Sequence, residues 1–222
     1  MKPVIVAITG GSASGKTTYA DALRRLLDPL DVRLIGEDEY YGDHADEPGF
    51  DPARFNFDDV AAHDHDLLGE HLKQLKAGKA IEAPLYDFIT HRRLGQTRTV
   101  KPGDVIIVEG IHVLADPALR DLYDLSIYVD APADIRLARR LLRDVHERGR
   151  NLDSVVTQYL RTVRPMHLAH TEPGKAEADI VVVNDAAAAS PELEALSPSF
   201  DKLAAPAAET IRKMYEANKN PN

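Results

Sequence analysis

The sequence contains no cysteine and no tryptophan, and it holds fewer basic than acidic residues. Without cysteine the 222-residue chain forms neither disulfides nor thiolate metal sites, so nothing in it requires an oxidising compartment. Lys plus Arg number 27 against 36 Asp plus Glu, a net charge of −9 that repels a nucleic-acid backbone unless positive charge is gathered locally. The longest apolar runs are far too short to span a membrane, and no hydrophobic leader follows Met1. We therefore expect a cytoplasmic protein with no membrane and no nucleic-acid partner.

Five short apolar runs, rich in Val and Ile, predict the strands of a buried sheet. They do not alternate with polar residues, which is typical of parallel strands covered on both faces. Helical patterns lie between them, and this alternation indicates an α/β fold of three layers, with a mainly parallel five-stranded sheet flanked by helices. The predicted strands are Val4–Ile8, Val32–Ile35, Val105–Val108, Leu125–Val129 and Ile180–Val183, and the predicted helices are Lys16–Leu27, Asp64–Lys76, Pro132–Glu147, Leu152–His170 and Ala207–Ala217.

Two segments depart from the alternation of strands and helices. Residues 80–101 carry two β-type patterns around a polar stretch at 90–96, which predicts an inserted β-hairpin. Residues 186–206 are rich in Ala, Ser and Pro and predict a linker with one weak helical turn at Pro191–Leu196. We therefore predict a domain over residues 1–185, with the linker and final helix of residues 186–222 packing on it.

The first predicted strand leads into a glycine-rich loop that predicts a phosphate cradle. Residues 10–17 read Gly-Gly-Ser-Ala-Ser-Gly-Lys-Thr, which matches G-x-x-x-x-G-K-[ST], and a helical pattern follows at once. In such a loop the backbone N–H groups point inward, the helix N-terminus adds positive charge, and Lys16 supplies an ammonium for the β and γ phosphates. The Thr17 hydroxyl is a ligand for Mg²⁺. The residues predicted to bind the nucleotide are Gly10, Gly11, Ser12, Ala13, Ser14, Gly15, Lys16, Thr17 and Thr18.

Loops of this kind serve GTPase switches, ATP-driven machines and kinases, and the rest of the sequence favours a small-molecule kinase. The Asn-Lys-x-Asp guanine reader of GTPases is absent, and the chain is short for a motor. A kinase needs acids beside the reacting hydroxyl and positive charge over the phosphates. Between Glu37 and Asp66 there are eleven acidic residues and one arginine, whereas six arginines lie within residues 136–150. A non-catalytic nucleotide sensor on the same fold stays open as an alternative.

Carboxylates follow two of the predicted strands, where the ligands of open α/β sheets bind. Asp38 follows the second strand and Glu109 ends the third. We expect one to order Mg²⁺ and the other to take the proton of an attacking hydroxyl. The neighbouring Glu37 and Glu39 stay open as alternatives to Asp38.

The arginine-rich segment predicts a helical lid over residues 136–165. Arg136, Arg140 and Arg143 share one helical face, and Arg148-Gly149-Arg150 then breaks into a new helix. Guanidinium groups match phosphoryl oxygens, so a closing lid would stabilise the transferred charge and exclude water. We expect Arg143 and Arg148 to act there together with Lys16.

The sequence resembles those of the uridine–cytidine kinases, which belong to the phosphoribulokinase superfamily of P-loop kinases. The likeness runs through residues 3–183 in order and includes the phosphate loop, Glu-Asp-Glu-Tyr-Tyr at 37–41, Phe57-Asp58 and Pro-Leu-Tyr-Asp-Phe at 84–88. It continues through Val-Glu-Gly-Ile at 108–111, Arg-Asp-Val at 143–145, Glu-Arg-Gly-Arg at 147–150, Gln158-Tyr159 and Val-Arg-Pro-Met at 163–166.

The resemblance implies transfer of the γ-phosphoryl group of ATP or GTP to the 5′-hydroxyl of uridine or cytidine, with Mg²⁺ as cofactor. It makes Asp38 the base and places Thr17, Asp38 and Glu109 around the metal. Asp58, Arg140 and Arg150 would hold the ribose of the nucleoside, and a homotetramer would be the assembly. The residues that would enclose the nucleoside base are Phe57, Tyr86, Phe88, His91 and Gln158, and Tyr41 is a further substrate-binding residue. A phosphoribulokinase-like enzyme stays open as the alternative, although that phosphorylated substrate calls for more basic residues than the single Arg54 of the acidic segment.

Overall fold

The structure is a computed structural model that describes residues 2–45, 47–52, 54–185 and 197–220. The predicted fold class is confirmed. Strands and helices follow one another as β1 (Val4–Thr9), α1 (Lys16–Leu26), β2 (Val32–Gly36), α2 (His65–Lys76), β3 (Ile81–Asp87), β4 (Arg92–Val100), β5 (Val105–Glu109), α3 (Pro117–Arg120), β6 (Leu125–Asp130), α4 (Ala133–His146), α5 (Leu152–Gln158), α6 (Arg164–Met166), α7 (Gly174–Glu177), β7 (Ile180–Val183) and α8 (Ser197–Lys219).

The main sheet has five parallel strands in the order β2-β5-β1-β6-β7. Strand β5 lies between β2 and β1, with Gly36 of β2 paired to Glu109 and Ile8 of β1 paired to the same residue. Because the strands are parallel, their carboxyl ends meet at one edge. The phosphate loop after β1, the acidic turn after β2 and Glu109 therefore lie together.

Side chains of β1 alternate between two apolar layers. Val4, Val6 and Ile8 pack with α1 and α8 on one face of the sheet, whereas Ile5 and Ala7 pack with α2 and the hairpin on the other. All five side chains are fully buried. Both faces of the sheet are covered, as the sequence predicted. This explains why its strands are continuous apolar runs.

The predicted hairpin is present, but its turn is tighter than the sequence indicated. Strands β3 and β4 pair antiparallel, and the turn occupies residues 88–91 instead of 90–96. The Asp87 carboxylate accepts hydrogen bonds from the backbone of Ile89 and the hydroxyl of Thr90, at 2.8 and 2.7 Å. His91 takes a left-handed conformation (φ 55°) that reverses the chain. These contacts close the turn early, so the prediction that residues 92–96 are turn was wrong.

The predicted helix Leu152–His170 is helical throughout but is not one regular α-helix. It consists of α5, a π-helical segment Tyr159–Val163, the short α6 and a second π-helical segment His167–Thr171. Pro165 lies between the two wide segments and has no N–H for the bond to the preceding turn, which accounts for the irregular spacing.

The final helix is longer than predicted. It begins at Ser197, not Ala207, so residues 197–206 are helix where the sequence predicted linker. Buried Phe200 and Ala204 pack against the α1 layer and outweigh the unfavourable Pro206 inside the helix. The weak turn predicted at Pro191–Leu196 lies outside the described residues. Among the described residues, no helix combines the length and the apolar character needed to cross a membrane.

Candidate active site

The phosphate loop connects β1 to α1 in a conformation that only small residues permit. Gly10 and Gly15 have positive φ angles of 151° and 94°, and a Cβ on Gly10 would lie 2.3 Å from the carbonyl oxygen of Val129. Ala13 also lies in the left-handed region, with a φ of 62°. Such strain in a loop before a helix is typical of a phosphate cradle. Of the predicted nucleotide-binding residues, Gly10 to Gly15 therefore form the loop, and Lys16, Thr17 and Thr18 form the first turn of α1.

Thr17 and Glu109 contact each other directly. The Thr17 hydroxyl lies 3.2 Å from one Glu109 carboxylate oxygen and 3.3 Å from the other. Burial raises the pKa of Glu109, the charge of Lys16 opposes this, and Asp38 reinforces it. Hydroxyl and carboxylate oxygens are the ligands that Mg²⁺ prefers, so Thr17, Glu109 and Asp38 fit the ion that the sequence predicted.

The three consecutive acids after β2 have three different environments. The Glu37 side chain is fully buried, and its carboxylate accepts the backbone N–H of His112 at 2.9 Å. Glu39 accepts hydrogen bonds from the Arg98 guanidinium of the hairpin at 2.7 and 2.8 Å. Asp38 keeps 62% of its side chain exposed. Of the alternatives that the sequence left open, Asp38 is therefore the acid accessible to a substrate.

Asp38 is held in its charged form. Desolvation by the surrounding protein works to raise its pKa, but the His63 imidazole and the Lys16 ammonium outweigh it, so the pKa lies below its ordinary value. His63 Nε2 lies 3.9 Å from Asp38 Oδ1. Burial lowers the pKa of His63, but the charges of Glu37 and Asp38 outweigh burial, so the net shift of the pKa is upward. Asp38 is thus an ionised carboxylate near the Lys16 ammonium.

The aromatic residues predicted to enclose a base form one cluster. The centroid of the Tyr41 ring lies 5.8 Å from that of Phe57, 5.1 Å from that of Tyr86 and 6.3 Å from that of Phe88. His91 stacks on Phe57 at 4.7 Å. Burial raises the pKa of Tyr41, and the charges of Asp38 and Asp58 raise it further. Phe88 is 58% exposed, so the cluster has an open side.

The remaining predicted ribose and base residues form a hydrogen-bonded chain. Asp58 Oδ2 accepts from the Gln158 amide at 3.2 Å and from the Thr162 hydroxyl at 2.7 Å. Gln158 Oε1 in turn accepts from Arg140 at 3.0 Å and Arg150 at 2.5 Å. The structure therefore places Gln158 between the ribose acid and the arginines, and Arg140 and Arg150 reach Asp58 through that amide.

The arginine segment closes on the phosphate loop at one end and on a buried acid at the other. Arg140 donates to the Ser12 hydroxyl at 2.8 Å, and the Arg136 guanidinium lies against Gly11. The predicted catalytic pair Arg143 and Arg148 lies against the Asp144 carboxylate instead, at 2.9 and 3.6 Å. The Asp144 side chain is fully buried and is also within ion-pair distance of Arg140 and Arg150.

Sequence reasoning missed several residues that build the site. Asp144 was detectable, because its i, i+4 spacing to Arg140 and Arg148 predicts ion pairs on a helix. Thr162, which donates to Asp58, carries no such signal. Nor do His63, His65 and His112, which lie around Glu37 and come from separate parts of the chain.

The parallel sheet, the loop after β1 and the acids at the neighbouring strand ends define a P-loop kinase. The model of the phosphoribulokinase/uridine kinase family matches residues 5–188, and the chain belongs to that family.

Named relatives agree with this family. A uridine kinase of Clostridium botulinum (strain Kyoto / Type A2) is 49% identical over 181 residues, which cover 82% of this chain and 88% of that protein. A uridine kinase of Brevibacillus brevis is 49% identical over 180 residues, 81% of this chain and 84% of the relative. Among solved structures, phosphoribulokinase from Rhodobacter spheroides is similar in fold, with a TM-score of 0.61 at 18% identity, covering 82% of this chain and 70% of that one.

Proposed function

We propose that this protein is a uridine kinase that transfers the γ-phosphoryl group of ATP or GTP to the 5′-hydroxyl of uridine or cytidine. The observation that carries the proposal is the position of the aromatic cluster. Tyr41 stacks on His63 at 4.2 Å, and His63 contacts Asp38, so a flat base held by the cluster would place its ribose near Asp38. The uridine kinases at 49% identity support the same substrate class.

The reaction follows from groups whose positions are described above. The nucleoside 5′-oxygen bonds to the γ-phosphorus while the bond from that phosphorus to the β,γ-bridging oxygen breaks, and the nucleoside diphosphate leaves. Asp38 accepts the hydroxyl proton. Its lowered pKa keeps it ionised, which suits a loose transition state in which the hydroxyl is oriented first and loses its proton late.

Cationic groups stabilise the charge on the transferred phosphoryl group. The loop N–H groups and Lys16 hold the phosphates, and Arg136 and Arg140 already lie against the loop. Arg143 and Arg148 would reach the phosphates only by leaving Asp144, which is the motion expected of a lid. Thr17, Asp38 and Glu109 would hold Mg²⁺, which would neutralise negative charge on the phosphates.

The finer assignments also belong to this proposal. Asp58 would accept hydrogen bonds from the ribose hydroxyls, in exchange for the donors Gln158 and Thr162 that it has here. Its place beside the aromatic cluster supports this role. The homotetrameric assembly rests on the family resemblance alone, and the cytoplasmic location is an expectation from the sequence composition.

A phosphoryl-transfer assay over a panel of acceptors tests the proposal. Uridine, cytidine, 2′-deoxyuridine and ribulose 5-phosphate are each incubated with ATP and with GTP, and products are separated by chromatography. We expect UMP or CMP to form, with 2′-deoxyuridine a poorer acceptor because Asp58 loses a partner. Phosphorylation of ribulose 5-phosphate with inert nucleosides would favour the phosphoribulokinase-like alternative. ATP hydrolysis with no acceptor product would reject both.

A further inference from the structure

A buried cluster of two histidines and one glutamate lies beneath the acidic turn, and the proposed reaction does not use it. It consists of Glu37, His63 and His65, and all three residues are buried. Glu37 begins the turn after β2. His63 and His65 lie on either side of Asp64, the residue that precedes α2. We refer to these three residues as the Glu-His-His cluster.

Backbone pairing explains why both histidines reach Glu37. Tyr41 forms a β-bridge with His63, and the Asp64 N–H donates to the carbonyl of Tyr40 at 2.8 Å. The backbone at His63 is extended (φ −107°, ψ 141°), so residues 63 and 65 project to the same side. The Asp64 side chain instead caps α2 by accepting the N–H of Leu67.

The donor atoms of the cluster are close to one another. One ligand atom from each residue lies within 4.8 Å of the other two, and His65 Nε2 lies 2.8 Å from Glu37 Oε1. One ion could therefore be shared by the three residues if their side chains moved closer together.

An unpartnered imidazole gives a second, independent indication of a ligand. The His63 side chain has no exposed surface, yet neither ring nitrogen has a partner within hydrogen-bond distance, and the Asp38 Oδ1 oxygen lies 3.9 Å from Nε2. Buried polar atoms are rarely left in this state, because each lost hydrogen bond is costly. A cation bound to His63 would remove this cost.

We propose that the Glu-His-His cluster binds a divalent transition-metal ion of the Zn²⁺ or Co²⁺ class. Imidazole nitrogens are ligands for such ions and poor ligands for Mg²⁺, which takes oxygen donors. The cluster therefore differs in its chemistry from the all-oxygen set of Thr17, Asp38 and Glu109. Two imidazoles and one carboxylate form a three-ligand set found in zinc sites, in which a fourth position stays open to water.

Titration of the metal-free, full-length protein with Co²⁺ tests this site without nucleotide or nucleoside. We expect one equivalent to bind with the visible ligand-field absorption of a nitrogen-ligated, low-coordinate ion, and Zn²⁺ to abolish that absorption by displacement. Millimolar Mg²⁺ should not displace the Co²⁺. Calorimetric titration with Zn²⁺ gives the affinity. Because activity is not measured, the result is independent of the proposed kinase function.

Four variants locate the bound ion. His63→Phe and His65→Gln should each weaken Co²⁺ and Zn²⁺ binding by at least about tenfold. His71→Gln is the matched control, because His71 is a similarly buried histidine that contacts Tyr40 outside the cluster. Glu109→Gln removes the carboxylate of the proposed magnesium site, and it too should leave this binding unchanged. Circular dichroism verifies that each variant is folded, and His65→Gln keeps a donor for Glu37 if His63→Phe does not fold.

Three outcomes would overturn the assignment. The first is the absence of stoichiometric binding to the wild-type protein. The second is equal affinity in wild type, His63→Phe and His65→Gln. The third is loss of binding in Glu109→Gln or displacement by Mg²⁺, which would place the ion in the oxygen site.

Discussion

At the scale of single residues, the acidic turn after β2 shows how neighbouring carboxylates acquire different roles. Glu37 points into the protein, Asp38 is exposed, and Glu39 points toward the hairpin. Gly110 makes room for Glu37, since a Cβ there would lie 2.2 Å from its carboxylate. Charge and spacing alone predicted an acid at this strand end, but only the surroundings decide which acid faces a substrate.

We predict that Asp38→Asn lowers kcat by roughly 10²- to 10⁴-fold and leaves the KM for ATP nearly unchanged. The amide preserves the shape of the side chain but cannot accept the hydroxyl proton. Glu39→Gln is the matched control, because it changes the next acid, which pairs with Arg98. Steady-state kinetics of both variants test this, and turnover reduced equally in the two would remove Asp38 from its proposed role.

Glu37 gives the stability of the protein a defined dependence on pH. Burial acts to raise its pKa, but His63, His65 and His112 outweigh burial and lower the pKa from 4.5 to about 2. A carboxyl with a depressed folded-state pKa stabilises the fold fully above 4.5 and progressively less as the pH falls toward 2.

We predict that Glu37→Gln lowers the free energy of unfolding relative to wild type. The part of this loss that depends on pH should be roughly 3 kcal/mol at neutral pH. This difference should shrink as the pH falls below about 4.5, because the carboxyl of the unfolded chain is protonated there while the native carboxylate stays ionised. Urea unfolding between pH 7 and pH 3.5 measures it. Glu47→Gln, which alters an exposed glutamate paired with His44, should show no comparable trend. A difference that does not vary with pH would contradict the argument.

At the scale of secondary-structure elements, the hairpin that carries the proposed base-binding residues is fixed to the acidic turn. Arg93 of β4 donates to the carbonyl of Tyr41 at 2.9 Å and lies 3.2 Å from Asp64. Arg98 pairs with Glu39. These contacts set the position of the exposed hairpin tip relative to Tyr41 and Phe57.

We predict that Phe88→Ala raises the KM for the nucleoside by roughly tenfold and leaves the melting temperature within about 2 °C of wild type. Phe88 contacts Tyr41 and Tyr86 but is 58% exposed, so its loss removes stacking area without opening a cavity in the core. Ile89→Ala is the matched control, because Ile89 is 90% exposed on the same turn. Nucleoside kinetics that change equally in both variants would assign the effect to the turn and not to the aromatic ring.

Elements with a strong local pattern were predictable, and those determined by distant contacts were not. The five strands and the phosphate loop agree with the sequence expectations, because apolar runs and glycine spacing are local signals. The two π-helical segments depend on Pro165 within a packed helix, and the early start of α8 depends on Phe200 meeting the α1 layer. The Glu-His-His cluster was not predictable, because Glu37 and His65 are far apart in sequence and the acidic segment reads as a solvated loop.

At the scale of the whole molecule, α8 completes the apolar layer that supports the phosphate loop. Phe200 and Asn184 lie against Gly15, and the Asn184 amide donates to the carbonyl of Ser14 at 2.7 Å. Further along the helix, Arg212 donates to the carbonyls of Leu26 and Asp28 at the end of α1. The helix therefore contributes both to the core and to the shape of the loop. Its buried residues are Phe200, Ala204, Ala207, Ala208, Ile211 and Tyr215.

We predict that deletion of residues 186–222 destabilises the protein severely. Loss of Phe200 alone is expected to cost about 3–5 kcal/mol, a large part of the 5–15 kcal/mol by which domains are typically stable. Since about 1 kcal/mol corresponds to roughly 2–4 °C in a chain of this size, the melting temperature should fall by at least about 10 °C, or the exposed α1 face should cause aggregation. Deletion of residues 220–222 alone, which spares all of α8, is the matched control and should melt like wild type. Calorimetry and size-exclusion chromatography distinguish these outcomes. A shortened chain that ends at Asp185 and matches the control in both measurements would mean that the apolar face of α1 is stable without its cover.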